Sequence, residues 1–272
     1  MQLLDEHLEG LDESPLLEID KTVKSIYRLI AFSDAHKQSD LLTRYLEAMQ
    51  HLRDVMSLKN AQQEAQTEEE AIEYLANLKR GIKQIVDEIG LQRSLETPVD
   101  LFRLFRLIAP EAAARHPNRF RDTIVQFGPC FGAEPSQIPM LIEELFYVLP
   151  QIKHPVTRAV YLHHELVRIH PFIDGNGRLS RMAKNWELMY NLYPPMFIKN
   201  ISDKQRYIAR LQESFLSIEK EPNILHSATQ GFFLDEFRRL RASATFILNR
   251  MIKNPKLEFP SDEFERDPNH QS

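Results

Sequence analysis

Glycine is scarce in this chain, with 8 among 272 residues against 16 prolines. Sheet-rich sandwiches and dinucleotide-binding folds use glycine freely in turns and phosphate loops, so the shortage points to a mostly helical protein. Only one cysteine is present, Cys130, which excludes an internal disulfide framework and a cysteine-rich zinc site. A reducing compartment fits that usage. Positive charge is also short: 34 Lys and Arg stand against 39 Asp and Glu, a formal net charge of -5, so no basic field draws the chain to nucleic acid or to an anionic membrane. No apolar run approaches the ~18 residues of a membrane span, and Met1 to Asp12 is acidic without a leader-like pattern. A cytoplasmic protein with no nucleic-acid or membrane partner is the expectation.

What the chain does contain is 43% apolar and 27% charged residues, an ordinary globular balance. Its length suits one compact domain, or one with a smaller helical attachment, at ~150 residues per domain. Helix signals come with start chemistry. Ser14-Pro15 opens a stripe of Leu16, Ile19, Val23, Ile26, Tyr27 and Ile30, and Ser39-Asp40 opens another through Leu42, Leu46, Met49, Leu52 and Met56. Thr67 with Glu70 forms a capping-box pattern ahead of a stripe from Tyr74 to Ile89 that stops at Gly90, and Thr97-Pro98 starts a helix ending at Pro110. Four of the eight glycines and eight of the sixteen prolines then fall between Pro110 and Gly177, which places irregular structure there. Arg121 to Phe127 is β-leaning and is followed by Gly128-Pro129, so a short hairpin or flap is predicted. Helices are predicted again over 136–149, 155–169, 178–191, after Ser202 and over 229–252, with a frayed tail from Asn254.

The segment from His170 to Arg181 carries the chemistry. Its Gly175-Asn176-Gly177 can adopt positive φ at successive positions and so point consecutive amides into an anion-binding nest. A helix beginning there adds its own free N–H groups and dipole. Arg178 and Arg181 stand three apart on one helix face, which suits a ligand with two or three phosphates. Asp174 is a hard oxygen ligand placed for a Mg2+ bridging those phosphates. His170, kept from continuing the helix by Pro171, is placed to take a proton from an incoming hydroxyl. The adjacent His163 and His164 lack the i,i+4 spacing of a helical metal pair and read as structural.

These twelve residues match His-x-Phe-x-Asp/Glu-Gly-Asn-Gly-Arg-x-x-Arg, and the segment is identified as a member of the Fic (filamentation induced by cAMP) family of adenylyltransferases. The likeness extends over about 120 residues through Phe120-Arg121, Ile138-Pro139, Glu143-Glu144-Leu145, His154-Pro155, His163-His164, Leu192-Tyr193-Pro194-Pro195 and Tyr207. The resemblance implies an all-α Fic-type bundle with a short β-hairpin flap, an additional N-terminal helical region over 1–96, a catalytic core over 97–222, and a C-terminal helix and tail over 223–272. It further implies transfer of AMP from ATP, with Mg2+, to a Ser, Thr or Tyr hydroxyl of a protein target, which includes the protein itself.

In that scheme His170 is the base and Asp174 the metal ligand. Gly175, Asn176, Gly177, Arg178 and Arg181 hold the phosphates, and Tyr193 and Tyr207 border the adenine. Thr123, Ile124, Val125 and Gln126 would dock the target as an added strand. Thr43 and Glu47 have the spacing of the family's inhibitory Ser/Thr-x-x-x-Glu-Gly/Asn element, but Ala48 departs from it, and a solvated Glu47 is the favoured reading. A nucleotide-binding module without turnover, removal of AMP and another nucleotide donor stand as alternatives, and the oligomeric state is left open.

Overall fold

The computed structural model describes residues 1–5, 8–32, 65, 67–115, 119–198, 201–221 and 224–253. Among them the architecture is a helical bundle: α1 Ser14–Phe32, α2 Glu68–Gly90, α3 Pro98–Ile108, α4 Pro110–Arg115, α5 Ile138–Val148, α6 Pro155–Ile169, α7 Asn176–Tyr190, α8 Ile201–Lys220 and α9 Ser227–Lys253. One antiparallel hairpin interrupts it, β1 Gln126–Phe127 against β2 Cys130–Phe131, with Gln126 opposite Phe131 and Phe127 opposite Cys130. No helix of the described residues is long and apolar enough to cross a membrane. The helix predicted after Ser39 and the tail from Asn254 lie outside the described residues.

Local chemistry sets the boundaries. At α3 the Thr97 hydroxyl accepts the Asp100 amide at 3.3 Å while the Asp100 carboxylate accepts the Thr97 amide at 3.1 Å, so two otherwise unpaired donors are satisfied reciprocally. At α2 only half of the predicted box forms: Thr67 caps the Glu70 amide, but the Glu70 carboxylate turns to the Tyr74 hydroxyl at 2.5 Å. Pro110 ends α3, as expected, and also starts α4. A proline forces the residue before it out of the helical region, and Ala109 sits at φ -139, ψ 55, yet proline itself is welcome at a first helical position.

α6 lies at the centre. Nearly every side chain from Val156 to Ile169 is buried, including Thr157, His163, His164, Glu165 and Arg168. A helix buried all round must satisfy its polar groups internally, and around Tyr161, His164, Glu165 and Arg168 α6 does so with a chain of hydrogen bonds. His164 Nδ1–H donates to Glu165 at 2.7 Å, the Ser214 hydroxyl of α8 meets His164 Nε2 at 2.8 Å, and Ser214 meets Thr229 of α9 at 2.8 Å. Arg168 donates to both Glu165 oxygens and to the Gln2 carbonyl, while Tyr161 donates to the Leu4 carbonyl at 2.5 Å. The first residues are thereby strapped to α6. α7 packs along α6, and its buried Lys184 pairs with Glu236 of α9, which Arg239 links to Asp203 of α8. α1 lies against α9, and residues from Leu3 to Ile247 share one hydrophobic core.

Burial pushes the Glu165 carboxyl up, but Arg168 and His164 override it and hold it at about 2. Burial also holds His163 and His164 below the ordinary histidine range, so both are neutral in the folded state. Unfolding at acid pH therefore takes up protons on the histidines below about pH 6.5 and on Glu165 below about pH 4.5. The stability these three groups contribute is full above pH 6.5 and is lost progressively as pH falls. We expect the melting temperature by calorimetry to decline from pH 6.5 to 4 and to fall further toward pH 2; a flat profile between pH 7 and 4 would contradict neutral buried histidines.

Candidate active site

The site is the joint between α6 and α7. His170 caps α6 in the left-handed region, φ 53 and ψ 60, a conformation uncommon for a residue with a side chain. It is held there from two sides: its amide donates to the Leu166 carbonyl at 3.1 Å, and Arg121 Nε donates to its carbonyl at 2.7 Å. The turn swings the ring off the helix axis. Its Nδ1–H donates back to the Val167 carbonyl at 3.2 Å, and its face stacks on Phe127 of β1, with centroids 4.4 Å apart and planes 11° from parallel. Because a carbonyl only accepts, this contact assigns the proton to Nδ1 and leaves the lone pair on Nε2. Burial, aided by the Arg121 charge, lowers the ring's pKa to about 4 against opposing effects of Val167 and Asp174. The imidazole is thus a neutral base at pH 7.

Phe172 anchors the loop. Its buried ring stacks on Phe105 of α3 at 3.7 Å and 11° and meets Phe102 edge-on at 5.4 Å. The Asn176 side chain brackets the same residue, accepting the Phe172 amide at 2.9 Å and donating to the Phe172 carbonyl at 2.7 Å. Asn176 therefore organises the loop with its side chain and offers a ligand its backbone amide.

The predicted nest of successive positive φ values is corrected. Only Gly175 is left-handed, at φ 78, while Asn176 and Gly177 already belong to the first turn of α7. Asn176 can begin the helix because its side chain is spent on Phe172. A Cβ on Gly175 would stand 2.7 Å from Ala109 Cβ and 3.2 Å from Phe105, so the position demands glycine for space as well as for φ. The Gly175 amide is taken by Asp174 Oδ1 at 2.6 Å, and the first helical bond is Leu179 N–H to the Gly175 carbonyl at 2.9 Å. The amides of Asn176, Gly177 and Arg178 precede that bond, and with the helix dipole they make the N-terminus of α7 chemically suited to an anion.

The two arginines have separate roles. Arg178 is buried against the scaffold: it donates to the Ile108 carbonyl at 3.3 Å, pairs with Glu111 of α4, and lies 3.9 Å over the Tyr74 ring of α2. Its side chain ties α7 to three helices. Arg181 is half-buried and runs beside Gly177, where an added Cβ would stand 3.3 Å from its Nη1. Asp174 is exposed at the rim. No group of three or more His, Cys, Asp or Glu among the described residues could hold a metal unaided, but Mg2+ commonly takes one or two carboxylates and completes its shell with phosphate oxygens and water. A single exposed carboxylate fits that pattern.

Tyr193 and Tyr207 are engaged elsewhere. Tyr193 donates to Asp20 of α1 at 2.7 Å, and Tyr207 is buried against His163 Nε2 at 2.8 Å, beneath Phe232. In the flap, Thr123, Ile124 and Gln126 are exposed and Val125 is half-buried. Thr43 and Glu47 lie outside the described residues. Sequence reasoning did not foresee the parts played by Arg121, Phe127, Tyr74 and Glu111, which come from distant segments and carry no spacing signal.

The profile of the Fic/DOC family matches residues 98–188, which span the site from α3 to α7. Over these residues the chain is similar to the Fic/DOC family. Among curated proteins, the Fic segment is similar to "Protein adenylyltransferase Fic" of Drosophila grimshawi, 34% identical over 140 residues that make up 50% of this chain and 28% of the relative. The same-named protein of Drosophila mojavensis is 31% identical over 138 residues, 49% of this chain and 26% of the relative. The chain thus spans just over a quarter of these relatives' length. Among solved structures, the Fic bundle resembles a Fic domain containing signaling protein from Bacteroides thetaiotaomicron, with a TM-score of 0.65, 21% identity and coverage of 85% of this chain and 98% of that one. It also resembles Fic-1 from C. elegans, with a TM-score of 0.58, 18% identity and coverage of 89% and 76%.

An NMR titration of the His170 ring should give a midpoint near pH 4 in the free protein. Binding a polyphosphate at the α7 N-terminus should raise it, because added negative charge favours the imidazolium. A midpoint above 6 in the free protein would mean a solvated ring.

Proposed function

We propose that the protein transfers AMP from ATP to a Ser, Thr or Tyr hydroxyl of a protein target, releasing pyrophosphate. The observation that carries this reading is the pairing of a neutral histidine base, its Nε2 lone pair unprotonated, with an anion-binding helix terminus flanked by Arg181. The names of the Drosophila relatives, both adenylyltransferases, support it.

In this reaction the target oxygen attacks the α-phosphorus, the bond from that phosphorus to the bridging oxygen breaks, and pyrophosphate departs. The hydroxyl proton passes to His170 Nε2. The amides of Asn176, Gly177 and Arg178 receive the α- and β-phosphates, and Arg181 reaches the γ-phosphate. Asp174 would hold a Mg2+, which would supply neutralisation of charge on the leaving group. The low basicity of the free His170 ring rises as phosphate charge accumulates beside it, so the base is strongest when nucleotide is seated. Arg178 contributes by fixing α7, since its guanidinium is occupied by Glu111 and Tyr74.

For the target we propose docking along 122–126. An extended peptide lying beside this segment would be held by main-chain hydrogen bonds whatever its side chains, and its hydroxyl would reach His170, which stacks on the adjoining Phe127. A reducing, ATP-containing compartment such as the cytoplasm suits this chemistry and the buried thiol of Cys130.

Incubation with ATP labelled at the α-phosphate and Mg2+ should label a protein band, the protein's own included. His170→Ala should cut labelling roughly 10²- to 10⁴-fold with ATP affinity retained, the usual cost of losing a general base. Arg181→Ala should weaken ATP binding measured by calorimetry. Tight ATP binding by the wild type with no label on any protein would instead favour a nucleotide-binding module, and label only from GTP or UTP would move the assignment to another donor. Pro at Val125 should abolish target modification and leave ATP binding intact; loss of both would end the docking proposal.

A further inference from the structure

Arg121 lies at the start of the flap, far from the loop in sequence, and is 2% exposed. Its guanidinium donates to four main-chain carbonyls: His170 at 2.7 Å, Thr123 at 2.5 Å, Ala133 at 2.5 Å and Ile169 at 3.3 Å. Two of these belong to the flap, on either side of the hairpin, and two to the end of α6. Its own amide adds a bond to the Pro171 carbonyl at 3.0 Å. One residue, by its planar fork and its own amide, therefore spans the flap and the three residues that carry the catalytic imidazole out of α6.

The fork also has a cleared approach. At Gly132 a Cβ would stand 2.5 Å from Arg121 Nη2, 3.0 Å from His170 Cβ and 3.1 Å from Val125. Gly132 is not in the left-handed region, so its lack of a side chain is required by space alone. Gly132 N–H donates to the Val125 carbonyl at 3.1 Å and Ala133 N–H to the Ile169 carbonyl at 3.1 Å, so the same two segments are also stitched directly.

We propose that Arg121 is the positioning residue of the catalytic base: it holds His170 in its left-handed turn and fixes the flap against it, and Gly132 is glycine so that this fork can lie between them. The inference rests on the adenylyl-transfer reading only for its kinetic test. No other side chain hydrogen-bonds the His170 carbonyl among the described residues. The left-handed turn at a residue followed by proline is a conformation that needs outside support, and the fork supplies it. Lysine cannot replace it, because a point ammonium on a flexible stem cannot reach four carbonyls arranged around a plane.

The test compares wild type, Arg121→Lys and Gly132→Ala. Both variants should lower the single-turnover rate of labelling roughly 10- to 100-fold, the scale of loss for a misplaced catalytic group, while the ATP dissociation constant changes less than about 3-fold. Arg121→Lys is the decisive arm, because it keeps the buried charge and removes only the fork, whereas the Cβ of Gly132→Ala crowds both the fork and His170 itself. Ring 15N–1H correlation spectra supply a readout independent of turnover. In both variants the His170 signals should leave the Nδ1–H pattern, while those of His163 and His164 stay in place. If wild type fails to label any protein, the function assigned above is wrong, and the spectra alone decide the role of Arg121. Unchanged His170 signals in both variants would overturn the proposal. So would cooperative loss of all histidine signals in both, which would mark Arg121 as a merely structural residue.

Discussion

The loop stands on a single side-chain amide. Asn176 accepts and donates on the two main-chain groups of Phe172 at once, closing a ring from Phe172 to Asn176 in the place where two buried helices must be joined. Backbone groups in that position have no water to turn to and must find partners inside the protein. The bracket supplies them, and it has three effects in one step: it drives the Phe172 ring into the Phe102, Phe105 and Phe120 cluster, starts α7 at Asn176, and leaves the following amides pointing outward. The suitability of this helix end for the proposed phosphate binding follows from how the helix begins.

Charge in this molecule is sorted by depth. Shallow groups, such as Asp174, face solvent at the rim, whereas Glu165, Arg168, Lys184, Glu236 and Arg178 are buried and all paired. Buried pairs of this kind add little net stability over apolar packing, but breaking one leaves an uncompensated charge and is severe. They connect α6 and α7 to the N-terminal segment, α4 and α9, so the two helices that frame the site are fixed from several directions. Rigidity of that sort keeps a base and an anion cradle in register.

Much of this was legible in the sequence. Helix stripes with named caps placed α1, α2 and α3 within a few residues, because periodicity and capping are local properties. The His170 to Arg181 loop was legible because its residues sit side by side in the chain. What stayed hidden was everything that depends on distant segments meeting. Arg178 and Arg181 share a helical spacing, but only the fold shows that Glu111 and Tyr74 claim the first. The nest was read from the conformational freedom of Gly-Asn-Gly, a freedom that the Asn176 bracket removes. Arg121 is an isolated arginine in an extended run, and nothing in its neighbours announces four carbonyl partners.

The hairpin has strands of only two residues each, yet it is fastened at both ends. Its base is gripped by Arg121. Its tip, Gly128 at φ 61, lies on the Gln212 side chain of α8, and Phe127 meets Phe215 of the same helix edge-on at 6.0 Å. An extended segment clamped in this way has surrendered most of its conformational entropy before any peptide arrives. In the proposed docking, the ordering cost of strand addition would fall almost wholly on the incoming chain. Affinity for different peptides would accordingly be graded by how disordered each one is when free, a form of selection that requires no side-chain pocket at all.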